Sequence, residues 1–129
     1  MTYETLLFDL EDGVATVTMN RPEAANALNL QMAKDLFYAA IECSENPEIR
    51  AVVLTGAGKL FSGGGDLQFF SKQENLQKTL KAMTTFLHGA VSRFVRGDAP
   101  CIAAVNGTAG GGGFSLVCGA DLAIMSESA

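Results

Sequence analysis

The spacing of apolar residues changes several times along the chain, and each change predicts an element. Thr5 to Leu10 and Val14 to Met19 read as two strands, joined into a hairpin by a Glu11-Asp12-Gly13 turn. Asn20-Arg21-Pro22 ends the second strand, because proline has no N–H to give a ladder. Asn29 is placed to cap a helix from about Leu30 to Ser44, with Met32, Ala33, Leu36, Ala40 and Cys43 on its apolar face and Asn46-Pro47 as its stop. The continuous apolar run Ala51 to Thr55 predicts a strand covered on both faces. Glu74 to Arg96 reads as one long helix with Leu76, Leu80, Met83, Leu87, Val91, Phe94 and Val95 on or near one stripe. Cys101 to Val105 predicts a second buried strand, Phe114 to Cys118 a short helix, and Asp121 to Met125 a further strand. Strands alternating with helices predict an α/β fold with parallel pairing.

Composition narrows the class. A length of 129 residues suits one modest domain or part of a larger one. Hydrophobic residues at 48% and charged residues at 18% describe a folded chain. The net charge of −5 argues against a nucleic-acid binder, which needs a basic face. An anionic ligand stays possible, because backbone N–H groups can hold one. No apolar stretch is long enough to cross a bilayer, so no membrane partner is expected. Cys43, Cys101 and Cys118 show no CxxC spacing, which predicts neither a disulfide framework nor a metal site. The opening Met1-Thr2-Tyr3-Glu4 is not basic and no signal-type run follows. Buried, reduced thiols in a cytoplasmic protein are the expectation.

A strand, a glycine loop and a helix follow one another twice. The loops are Ser62-Gly63-Gly64-Gly65-Asp66 and Gly110 to Gly113. Ligands of α/β sheets gather where such loops leave the strands. Glycine lets backbone approach a ligand closely. Two facing loops could each aim an N–H at one oxygen, the geometry of an oxyanion hole. Two tight turns are the other reading. Neither loop contains G-x-G-x-x-G or G-x-x-x-x-G-K-[ST], so dinucleotide and P-loop folds are not supported.

Five segments in order carry a family resemblance. They are Asn20-Arg21-Pro22-Glu23 with Asn26-Ala27-Leu28-Asn29, Ala51 to Gly56, Phe61 to Leu67, Ile102 to Gly107, and Gly111-Gly112-Gly113 followed by Asp121. With them the chain resembles the crotonase (enoyl-CoA hydratase/isomerase) superfamily over nearly its whole length. The resemblance implies a crotonase-like spiral of ββα units, incomplete here. Residues 1–129 would be the N-terminal part of one domain that assembles as a homotrimer or hexamer. It implies that Gly65 and Gly112 donate N–H groups to the thioester oxygen of an acyl-CoA substrate. Backbone around Ala24, Ala25, Ser62, Gly63, Gly64, Asp66 and Leu67 would line the coenzyme A channel. Coenzyme A enters as part of the substrate, so no metal or separate cofactor is expected.

Two departures shape the expected chemistry. Hydratases of the family carry a glutamate where this chain has Ser115. A serine hydroxyl is no base at neutral pH without an activating neighbour, so isomerase-like or other enolate chemistry is expected over typical hydration. The remaining family acid would lie beyond Ala129. The alternative is a catalytically silent fragment, or an acyl-CoA-binding subunit that needs a C-terminal partner.

Several side chains carry two readings each. His88, the only histidine, is a partly buried helix residue or, as the family resemblance implies through members such as the chlorobenzoyl-CoA dehalogenases, a residue facing the acyl group. Asp66 accepts loop or helix-terminus N–H groups, or acts as a base. Asp121 is expected to orient backbone near the second loop. Arg21 pairs with a nearby carboxylate or with coenzyme A phosphate, for which Lys59 and Lys72 are alternatives. Ser115 is a helix-start hydroxyl or a nucleophile, and no G-x-S-x-G elbow surrounds it. Phe69, Phe70 and Phe86 are core or the wall of an acyl pocket.

Overall fold

The computed structural model describes residues 2–129. Five strands form one sheet in chain order: β1 (Leu6–Glu11), β2 (Val14–Met19), β3 (Ala51–Gly56), β4 (Cys101–Val105) and β5 (Leu122–Met125). β1 and β2 are antiparallel, and every later pairing is parallel. The hairpin register pairs Glu11 with Val14, so the turn is Asp12-Gly13 alone. Both turn residues have positive φ, 51° and 81°. That is the backbone whose twist matches a right-twisted hairpin, and Asp-Gly is suited to it.

Among the described residues four α-helices and a 3-10 turn at Pro22–Ala24 accompany the sheet: α1 (Leu30–Glu45), α2 (Leu67–Ser71), α3 (Leu76–Arg96) and α4 (Gly112–Cys118). Asn29 caps α1 as expected, its side chain accepting from the Met32 amide at 2.9 Å. α3 begins at Leu76 rather than Glu74, because the Asn75 side chain caps it by accepting from the Lys78 amide at 3.1 Å. α1 packs along α3. Phe37 meets Phe86 edge-on at 5.5 Å.

The layout is a spiral in which each turn contributes a sheet strand, a short bridging segment and a helix. β2 leads to Leu28 and α1, β3 to Ser62–Gly65 with α2 and α3, and β4 to Ala109 and α4. Bridges Leu28–Gly65 and Ser62–Ala109 are both parallel, so the short segments stack in the same order as the strands.

The core lies between the sheet and helices α1 and α3. Ala15, Val17, Met19, Val52, Leu54, Ala103 and Val105 point into it from alternate strand positions. The expectation that β3 is covered on both faces is therefore corrected, since Ala51, Val53 and Thr55 are only half-buried. β5 is exposed at every position, as an edge strand with one neighbour. Leu76, Leu80 and Val95 are also exposed, against the sequence expectation. α3 has 21 residues and α1 has 16. At 1.5 Å per residue α3 is the longer by about 8 Å. Among the described residues no helix is long and apolar enough to cross a membrane.

Cys43 and Cys101 are buried, whereas Cys118 is exposed at the end of α4, which corrects the expectation of three buried thiols. Burial, then the charge of Glu42 and the Cys101 thiol, pushes Cys43 up to about 12. Burial and the Asp121 charge push Cys101 up to about 11. A thiol reacts as its thiolate. Alkylation of the native protein near neutral pH is expected to modify Cys118 alone, with the other two reacting after denaturation. Mass mapping that finds a second cysteine modified as fast as Cys118 contradicts this arrangement.

Candidate active site

Because β3 and β4 are adjacent and parallel, their following loops leave the same edge of the sheet side by side. The amides of Phe61 and Ser62 donate to the Thr108 carbonyl at 3.1 and 3.2 Å. The Gly110 amide donates to the Ser62 carbonyl at 2.9 Å. Glycine is required for this approach at two positions. Gly64 has φ +101, and a Cβ there would sit 2.8 Å from the Gly110 carbonyl oxygen. A Cβ on Gly113 would sit 2.8 Å from Ser62 Cβ and nearer still to its carbonyl. Side chains at either place would force the loops apart.

A third segment, residues 20–29, completes the site. The Leu28 amide donates to the Gly64 carbonyl at 2.7 Å, and the Asp66 amide donates to the Leu28 carbonyl at 3.0 Å. The residues flanking Gly65 thus make the bridge, and the Gly65 N–H faces away from Leu28. Among the described residues the Gly65 and Gly112 amides donate to no acceptor. Leu28 also touches the second loop: a Cβ on Gly112 would lie 2.8 Å from Leu28 Cδ1. One leucine therefore neighbours both free amides.

Asn26 is the hub beneath these loops. It is fully buried with φ +51, a conformation asparagine tolerates. Its Oδ1 accepts from the Arg21 amide at 2.8 Å, and its Nδ2 donates to the Ala57 and Leu60 carbonyls, each at 2.9 Å. Asn106 plays the matching part after β4. Its Oδ1 accepts from the Gly56 amide at 3.1 Å, and its Nδ2 donates to the Gly58 and Leu60 carbonyls. The sequence reading missed both as organising residues. For Asn106 the available signal was an asparagine directly after the end of β4, where its amide can substitute for backbone partners; Asn26 lies further from the end of β2 and carried no such signal.

Arg21 pairs with a carboxylate, that of Asp66, at 2.9 Å. Asp66 is also the N-cap of α2, accepting from the Phe69 amide at 3.0 Å. Desolvation works to raise the Asp66 pKa. The Phe69 amide, Arg21 and the Gln68 amide together outweigh it and hold the carboxyl below its usual value. Ser62 is fully buried, donating to the Asn26 carbonyl at 2.8 Å and accepting from the Gly64 amide at 3.3 Å. Gly63, Gly65 and Leu67 are exposed, Ala24 and Ala25 half-buried, and Gly64 buried. An open cleft of about 440 Å³ lies between the Pro22–Asn26 turn and the Ala57–Leu60 turn.

The remaining candidates lie as follows. Ser115 is exposed on α4, its hydroxyl 3.4 Å from the Gly111 carbonyl. His88 is exposed on α3 and has no hydrogen-bond partner among the described residues, so it is not the partly buried histidine expected. Asp121 accepts from the Cys101 amide at 2.8 Å. That contact is at the start of β4, the opposite end from the second loop, which corrects its expected placement. Lys59 and Lys72 are exposed. Phe69 and Phe70 meet edge-on at 6.0 Å, partly buried against the core.

The profile of the enoyl-CoA hydratase/isomerase family matches residues 9–129, and the chain belongs to that family. It is 36% identical to a probable enoyl-CoA hydratase of Mycobacterium tuberculosis over 130 residues, covering 100% of this chain and 49% of that protein. It is 36% identical to the 1,2-epoxyphenylacetyl-CoA isomerase of Escherichia coli over 98% of this chain and 49% of that one. A 4-chlorobenzoyl coenzyme A dehalogenase of Arthrobacter is 32% identical over 92% of this chain and 44% of its own. Among solved structures, an enoyl-CoA hydratase/carnithine racemase from Magnetospirillum magneticum superposes with a TM-score of 0.89 at 33% identity, covering 98% of this chain and 48% of that one. The chain thus spans about half the length of the curated relatives it matches, and its fold is a partial crotonase fold.

Two stability predictions follow from these contacts. Asn26→Ala strands the Arg21 amide and the Ala57 carbonyl, while Leu60 keeps Asn106. Urea unfolding is expected to show a loss of about 2–6 kcal/mol, from two unsatisfied groups at roughly 1–3 kcal/mol each. A change below about 1 kcal/mol, less than one such group, removes Asn26 from its central place. Asp66 has a lowered folded pKa, so its contribution is complete above the unfolded value of about 4 and disappears as pH falls through the folded value. The stability gap between wild type and Asp66→Asn is expected to hold steady down to about pH 4 and to close below it. A gap that widens in acid contradicts the assigned sign.

Proposed function

We propose that this chain binds an acyl-CoA thioester and polarises its carbonyl with the main-chain amides of Gly65 and Gly112. It would do so as part of an enzyme of the enoyl-CoA hydratase/isomerase type. The observation that carries the reading is that both amides lack an acceptor among the described residues while Leu28 neighbours both glycines. A thioester enolate is a high-energy anion, and a preorganised donor aimed at its oxygen is worth about 3–4 kcal/mol. The relatives named for hydration, isomerisation and dehalogenation differ in reaction but share a coenzyme A thioester in their names. An oxyanion hole is the part such reactions can hold in common.

Backbone at Ala24, Ala25 and Ser62 to Leu67 lines the path of coenzyme A in this reading, which needs no metal and no separate cofactor. Asp66 is a poor proton carrier, since both its oxygens are engaged and its pKa is held low. Ser115 offers no basicity. As membership of the family implies, the proton would be moved by a carboxylate outside these 129 residues, and double-bond isomerisation or related enolate chemistry is favoured over hydration. The working assembly is a homotrimer or hexamer. A second reading is supported by the exposed Phe114, Leu122, Ile124 and Met125 on α4 and β5. By itself the chain binds acyl-CoA and turns over only with a complementary C-terminal piece.

Calorimetry with butyryl-CoA and free coenzyme A tests the binding claim. The thioester is expected to bind about tenfold more tightly than free coenzyme A, the worth of one net hydrogen bond to its carbonyl. Gly112→Pro removes the N–H at a helix position that accepts proline, and is expected to abolish that preference. Ser115→Ala is expected to leave both affinities unchanged. Equal affinity for the two ligands, or none for either, sinks the reading. Enoyl-CoA turnover that appears only on adding the C-terminal half of a relative selects the second reading.

A further inference from the structure

The Gly65 amide has no side chain to steer it, so its direction is set by its neighbours. Leu28 holds it from one side through the Gly64 carbonyl and the Asp66 amide. Arg21 lies across that bridge. One end of its guanidinium donates to the Ala27 carbonyl, immediately before Leu28. The other donates to Asp66 Oδ2 at 2.9 Å, immediately after Gly65. The second Asp66 oxygen holds the Phe69 amide and so the start of α2. That helix carries Phe70, whose ring lies against Gly65: a Cβ on the glycine would be 2.8 Å from it. The paired side chains are 19% and 11% exposed, sheltered enough to resist screening by salt.

We propose that Arg21 and Asp66 form a positioning pair that fixes the direction of the Gly65 N–H toward a bound thioester oxygen. This rests on the acyl-CoA reading above and adds to it the residues that aim one of its donors. Both members act through Gly65 and touch no reacting atom. A structural tie would affect melting alone, whereas a positioning pair must also alter the polarisation of a bound carbonyl.

The experiment uses the full chain and butyryl-CoA labelled isotopically at the thioester carbonyl, which cannot be hydrated or isomerised. Isotope-difference infrared spectroscopy reads the carbonyl stretch, calorimetry the affinity, and thermal melting the fold. Asp66→Asn keeps a competent helix cap while removing the charge. Arg21→Met removes both contacts, and Arg21→Lys keeps the cation. Wild type is expected to lower the carbonyl frequency on binding. Arg21→Met and Asp66→Asn are expected to lose much of that lowering, with affinity falling by no more than the roughly tenfold thioester preference, and Arg21→Lys to regain part of it. The double variant is expected to be no worse than Arg21→Met, as for two members of one unit. In a complemented enzyme kcat is expected to fall by about 10²-fold, the scale of a small misplacement, with KM nearly constant.

Variants that melt earlier but keep the wild-type carbonyl shift overturn the pair's role and leave the acyl-CoA reading standing. Wild type that binds butyryl-CoA with no shift removes the oxyanion assignment and this inference together. Wild type that does not bind removes the acyl-CoA reading itself. Should Arg21→Met fail to fold, Asp66→Asn and Arg21→Lys still decide.

Discussion

The site depends on a short ladder between two loops, in which Phe61 and Ser62 donate to the Thr108 carbonyl and Gly110 donates to Ser62. Three hydrogen bonds of this kind hold two glycine-rich segments in contact at the edge of the sheet. Glycine makes that contact possible, because a Cβ on Gly64 or Gly113 would collide with the opposite backbone. It also makes the contact expensive, because glycine loses most conformational freedom on folding. Asn26 and Asn106 offset that cost from beneath. Both donate to the Leu60 carbonyl, and between them they satisfy backbone on either side of the first loop.

The same economy divides labour between side chains and main chain. Ser62 and Asp66 sit beside the free amides, yet their oxygens are engaged by Asn26, Gly64, Phe69 and Arg21. Under the proposed function, chemistry at this place would fall to neutral N–H groups, whose strength comes from being held in position rather than from charge. A net charge of −5 is no obstacle to such a site. Under the same proposal, backbone would be the part that relatives named for different reactions hold in common.

Much of the fold was legible along the chain. The two-residue period of β2, the apolar face and asparagine cap of α1, and the alternation of strand and helix are local facts, and local facts survive folding. α2 escaped notice because its five residues are too short to show a period. Sidedness was less legible. Leu76 and Leu80 continue the apolar stripe of α3 yet lie exposed, and Cys118 lies exposed at the end of α4. Nothing local to either segment says how far its neighbour extends.

By itself the sequence determined the order of elements, the two glycine loops and the family pattern, because each of these is written in consecutive residues. Only the tertiary structure decided that Leu28 bridges the two loops, that Arg21 reaches Asp66 across 45 positions, and that Asp121 serves the start of β4 rather than the second loop. These contacts exist because parallel strands stack distant segments at one sheet edge. Which side chain then meets which backbone group depends on register, a property of the assembled sheet and not of any single stretch.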